Sequence, residues 1–117
     1  RTLARAARDQ GLGILVEVHS AGELELALAV APTAVGVNSR DLATFAVDLD
    51  RAQRLVASVP SGVPVIAESG IATRADVERM ATAGADLVLV GTSVARTADP
   101  EAAVRELTGV RRTGRGR

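Results

Sequence analysis

The chain has 117 residues, 47% of them hydrophobic, and its 14 basic and 14 acidic side chains cancel to a formal charge of zero. That length suits one domain or part of a larger one, and the charge balance leaves no basic footprint for nucleic acid. With no cysteine and one histidine, His19, the composition excludes disulfides, thiolate metal sites, cysteine catalysis and a histidine metal cluster.

Residues 1–10, RTLARAARDQ, space apolar positions 3, 4 and 7 as a helix end closed by Gly11 and Gly13. GILVEVHS (13–20) is a predicted strand, and AGELELALAVA (21–31) a predicted helix with Leu24, Ala27, Leu28 and Ala31 on one stripe. TAVGVNSR (33–40) is a second strand, followed by the loop DLATFAV (41–47). DLDRAQRLVASV (48–59) is a helix with Asp48 as N-cap. GVPVIAES (62–69) is the third strand. TRADVERMATAG (73–84) is a helix with Thr73 as N-cap, Asp76 at the capping-box position and Gly84 as its stop. ADLVLVGTS (85–93) is the fourth strand. DPEAAVRELTG (99–109) is the last helix, with Asp99 as N-cap, Pro100 at its first position and Gly109 at its end. VRRTGRGR (110–117) is expected to be a disordered tail after a folded unit over 1–109.

The order is α followed by four βα units, with strands apolar enough to be buried in a parallel sheet under helices. Only one aromatic, Phe45, is present, so Val, Leu, Ile and Ala must build the core. No apolar run is long enough to span a membrane, and the expected compartment is the cytoplasm. All fourteen basic residues are Arg, so a mechanism needing a lysine amine cannot be completed by this chain. The sequence starts at Arg1 with helical character, as a fragment of a longer product would.

Side chains alternate across a strand, which puts Glu17 with Leu15, Asn38 with Gly36, Glu68 with Ile66 and Gly91 with Leu89. Each strand thus ends in a polar or small residue that can face one common side. Polar groups at the C-terminal ends of parallel strands are where α/β proteins hold ligands. Isolated, Glu17 or Glu68 would be a solvated strand end, and His19 a structural side chain. Ser69-Gly70 and Gly91-Thr92-Ser93 are turns after neighbouring strands, each close to a helix start. Backbone N–H groups and the helix dipole there favour an anion, so the pair points to phosphate.

The runs LVEVHS, GVNSRDLATFAVDL, VIAESGI and LVLVGTSVAR, in this order and spacing, closely resemble indole-3-glycerol phosphate synthase, a (β/α)8 TIM barrel enzyme of tryptophan biosynthesis. The resemblance covers about residues 3–108 and implies half of such a barrel, strands five to eight. It implies a carboxy-lyase that converts 1-(2-carboxyphenylamino)-1-deoxyribulose 5-phosphate to indole-3-glycerol phosphate, with no metal and no organic cofactor. By this resemblance Glu17 is the catalytic glutamate and Asn38 the asparagine that orients substrate. Arg40, Leu42, Glu68 and Ser69 line the substrate, and Gly70, Gly91, Thr92 and Ser93 hold its phosphate. Ser39 and Thr92 depart from the family's commoner residues. The family's lysines belong to the first four strands, so the chain is expected to be inactive alone and to need the N-terminal half or self-association. Two alternatives stand beside this: another phosphate-binding barrel such as phosphoribosylanthranilate isomerase, and a non-catalytic phosphate-binding or assembly half-barrel.

Overall fold

The apolar runs form four short strands: β1 (Leu15–Val18), β2 (Ala34–Asn38), β3 (Val65–Glu68) and β4 (Leu87–Leu89). The structure is a computed structural model and describes residues 1–115. The strands hydrogen-bond in chain order and all run parallel. Among the described residues six helices accompany them: α1 (Thr2–Asp9), α2 (Ala21–Leu28), α3 (Leu49–Ser58), α4 (Arg74–Ala83), the single turn α5 (Thr92–Ala95) and α6 (Pro100–Leu107).

Register decides what each face carries. Glu17, Gly36, Ile66 and Leu87 lie in one row across the sheet; Asn38, Glu68 and Leu89 lie in the row above. Partners in a parallel ladder point the same way, so these residues share a face with Leu15. The opposite face is Val16, Val18, Val35, Val37, Val65, Ala67 and Val88. Leu24 and Ala27 of α2, Ala52, Leu55 and Val56 of α3, and Val77 and Met80 of α4 pack on that second face and bury it. The first face has no such cover: Leu15, Leu87 and Leu89 are each more than half exposed. An all-parallel sheet with helices on one side only is the arrangement of part of an eight-stranded α/β barrel.

The helix boundaries follow the capping chemistry. Asp48, Thr73 and Asp99 each accept an amide N–H of the first helical turn, and Thr73 and Asp76 close a full capping box. Gly84 ends α4 at φ 102°, a left-handed conformation that glycine takes without a Cβ penalty. The strands are shorter than the sequence reading has them, and three of the changed boundaries have a visible cause. Ser20 leaves the first strand to cap α2, its Oγ accepting from Glu23 N–H at 3.3 Å. α2 stops at Leu28, because Ala31 turns left-handed (φ 47°) ahead of Pro32. The fourth strand stops at Leu89, and Thr92 and Ser93 begin a helical turn whose Val94 and Ala95 amides return to the Gly91 carbonyl.

The predicted disorder of the 110–117 tail falls in part on residues 116 and 117, outside the described residues. Over 110–115 there is no helix or strand, yet side chains reach the domain. Val110 packs against the core. The Arg115 guanidinium donates to the Gly84 and Val63 carbonyls and to Asp86 Oδ2, the last at 2.9 Å. Among the described residues no helix is long and apolar enough to cross a membrane.

Candidate functional site

The C-terminal ends of β1 to β4 open into a cleft of about 610 Å³ on the uncovered face. Nine of the ten predicted site residues line it: Glu17, Asn38, Arg40, Glu68, Ser69, Gly70, Gly91, Thr92 and Ser93. Leu42 does not. It stands on the 41–47 loop, 61% exposed. That loop is tied down at its base, where Arg40 bridges to Val47 and the Arg40 guanidinium donates to the Phe45 carbonyl at 3.0 Å.

Glu68 ends β3 and is only 5% exposed. Its side chain folds back along the sheet over Gly36, and a Cβ built on Gly36 would overlap the carboxylate. The glycine is therefore a notch for the acid. Burial raises the Glu68 pKa from its ordinary 4.5 to about 7, and the neighbouring Glu17 carboxyl adds to the shift by hydrogen bonding and by like charge. Asn38, also buried, spans the site. Its Nδ2 donates to Glu17 Oε1 at 3.0 Å, and its Oδ1 accepts from Arg40 N–H at 2.9 Å. One amide thus fixes the carboxylate and the start of the next loop.

The two small-residue turns are held by hydroxyls. Ser39, 1% exposed, donates toward the Ser69 carbonyl at 2.7 Å and the Glu68 carbonyl at 3.1 Å. It pins the turn in which Ser69 and Gly70 are both left-handed (φ 63° and 67°). A Cβ at Gly70 would overlap Val47 of the neighbouring loop. Ser93 Oγ donates to the Ile71 carbonyl at 2.9 Å, stapling the first turn of α5 to the loop after β3. The leading amides of a helix lack intrahelical acceptors, and among the described residues the Thr92 and Ser93 N–H groups beside the cleft have no backbone acceptor.

Sequence reasoning did not name Ile71, Ala72, Leu89, Val90 and Arg96 of the lining as site residues. Arg96 carried a usable signal, one helical turn after Thr92, but only once α5 is known to be helical. A second, more apolar groove of about 590 Å³ lies along the β1 edge among α1, β1 and α2, and Glu17 borders both. Only the cleft gathers the strand-end polar groups. Among the described residues no three His, Asp or Glu side chains converge as metal ligands.

A family model described as indole-3-glycerol phosphate synthase matches residues 1–107. The indole-3-glycerol phosphate synthase of Haloarcula marismortui is 45% identical over 109 residues, 91% of this chain and 40% of that protein. The one from a Geobacillus species is 45% identical over 106 residues, 90% of this chain and 41% of that protein. That of Azospirillum brasilense reaches 47% over 102 residues, covering 87% and 39%. The chain therefore spans about two-fifths of the length of the relatives it matches. Two solved structures share the fold: the Amycolatopsis orientalis BexX/CysO complex, with TM-score 0.65 and 23% identity over 89% of this chain and 46% of that one, and a native KDPGal structure, with TM-score 0.64 and 21% identity over 89% and 48%.

Proposed function

The chain belongs to the indole-3-glycerol phosphate synthase family, and we propose that it supplies strands five to eight of that family's barrel with their share of the active site. On this reading the cleft takes 1-(2-carboxyphenylamino)-1-deoxyribulose 5-phosphate, and the reaction closes the indole ring with loss of CO2 and water. The observation that carries it is the convergence of Glu17, Asn38 and Glu68 with two small-residue turns in one cleft.

The phosphate sits between the Ser69–Gly70 turn and Gly91–Thr92–Ser93, with Arg96 adding positive charge at the rim. An anchored phosphate holds the flexible ribulose chain for attack. Loss of CO2 restores the benzene ring, and the dehydration that completes the indole needs a base for the proton leaving the former ribulose C1; Glu17, held by Asn38, suits that work. Glu68 keeps its proton to near neutral pH, which spares the bound anion a second negative charge and lets the carboxyl give or take a proton. Arg40 and Leu42 border the substrate from the loop after β2.

Proton delivery to the leaving oxygen belongs, in this family, to lysines of the first four strands, and this chain has none. We therefore assign turnover to the chain together with an N-terminal half-barrel along the open β1 and β4 edges, in the cytoplasm and without a cofactor. The test is indole fluorescence from the carboxyphenylamino-deoxyribulose phosphate, with the chain alone and with a separately expressed N-terminal half of a related synthase. Activity in the mixture alone, lowered about a hundred- to ten-thousandfold by Glu17→Gln, supports the reading. Activity of the chain alone would overturn the lysine requirement, and an inactive but assembled mixture would overturn the site.

A further inference from the structure

His19 stands beside the cleft, and the chemistry above gives it no part. It lies two residues after Glu17, just beyond the end of β1. In the usual capping box the carboxylate at the third helical position returns to the N–H of the cap residue itself. Here Glu23 reaches one residue further back. Its Oε2 accepts the His19 N–H at 2.6 Å and lies 3.3 Å from His19 Nδ1. The amide of His19 is also the main reason the Glu23 carboxyl titrates below its ordinary range.

With backbone and ring both held by Glu23, Nε2 turns toward Glu17, whose Oε1 is 3.5 Å away. That nitrogen is buried and, among the described residues, makes no hydrogen bond; the separation is that of an ion pair out of alignment. Glu17 Oε1 is the same oxygen that takes Asn38 Nδ2. A neutral imidazole has one N–H, and here it faces a carboxylate at each nitrogen. Only the doubly protonated ring offers a donor to both. The other charged groups around this assembly are Arg1, which borders the β1 groove with Glu17 and Glu23, and Glu68 beyond Glu17.

We propose that His19 is a positioning residue: clamped by Glu23, its imidazolium bridges to Glu17 and fixes that carboxylate against Asn38 at the mouth of the cleft. The catalytic part of this rests on Glu17 acting as a base; the physical link between His19 and Glu17 does not. It also gives Glu23, a surface residue of α2, a place in the site. A buried Nε2 is costly while unpaired, so Glu17 is drawn to it rather than to solvent.

Carboxyl-carbon NMR of the glutamate-labelled chain separates the two parts, with Glu17→Gln and Glu23→Gln assigning the signals. The Glu17 signal is expected to show a second inflection where His19 titrates. That inflection should vanish in His19→Gln and His19→Asn, and weaken in Glu23→Gln. An identical Glu17 curve in the wild type and in both folded His19 variants would overturn the proposal. In the assembled enzyme, His19→Gln should lower kcat about ten- to a hundredfold at unchanged KM. It should also cost nothing more once Glu17→Gln is present. Equal losses in both backgrounds would overturn the positioning role. An inflection that persists while Glu17→Gln stays fully active would remove Glu17 as the base and leave the His19–Glu17 link standing.

Discussion

Replacing Glu68 with Gln should remove the loss of stability that the wild type shows as pH rises toward 7. The folded state raises the Glu68 pKa to about 7 from an ordinary 4.5, first by burial and then through Glu17. A group raised in this way contributes its stability in full below its unfolded value and loses it as pH rises through the folded one. At about 1.4 kcal/mol per pH unit, the displacement amounts to roughly 3 kcal/mol lost between about pH 4.5 and 7. Gln keeps the shape over Gly36 and carries no charge. The variant should match the wild type near pH 4.5 and exceed it by up to roughly 3 kcal/mol above pH 7. The chain has no Trp or Tyr, so the assay is urea unfolding followed by far-ultraviolet circular dichroism, repeated from pH 4 to 9. Wild-type and variant stabilities that differ by a constant at every pH would refute the argument. In Glu17→Gln the Glu68 transition should move toward lower pH but not all the way, because burial is the larger cause.

Gly36→Ala places a methyl where the Glu68 carboxylate lies, and the flexible side chain can swing out to water. It should cost under about 1 kcal/mol. The Glu68 titration should return toward 4.5, and the assembled enzyme should lose activity; NMR titration checks the first and the indole assay the second. Gly70→Ala must hold an L-residue at φ 67° and also meets Val47, so a loss of about 2 kcal/mol or more is expected in urea unfolding, with weakened phosphate binding by the same chain. Arg115→Ala removes a buried guanidinium from the Gly84 and Val63 carbonyls and from Asp86, and should cost about 1–3 kcal/mol in the same unfolding assay while leaving the cleft's phosphate affinity unchanged.

Much of this architecture is local and was therefore readable in advance. Asp48, Thr73 with Asp76, and Asp99 with Pro100 act on amides within three residues of themselves, so spacing alone locates their helices. The cleft followed from strand parity, because parallel register carries a face assignment from one strand to the next. What stayed hidden depends on contacts distant in sequence. The α5 turn begins because Ser93 has Ile71 to hold, 22 positions away. The Gly36 notch exists because Glu68 folds onto it from the next strand. Leu42 has the residue type of a cleft wall, but the hydrogen bonds at the base of the 41–47 loop set it outside the lining. Arg115 sits in a segment whose composition suits a solvated terminus, and nothing local marks the carbonyls of Val63 and Gly84 as its acceptors.

The docking of Arg115 also fixes a direction. Val63, Gly84 and Asp86 precede β3 and β4, so residue 115 is anchored at the opposite end of the strands from the cleft. A fluorophore, an affinity handle or a surface linker attached beyond that point would hang from the far pole of the molecule. Chains tethered in this way would all present their strand ends outward. Binding partners could then be scored on an oriented layer without the attachment chemistry competing for the same opening.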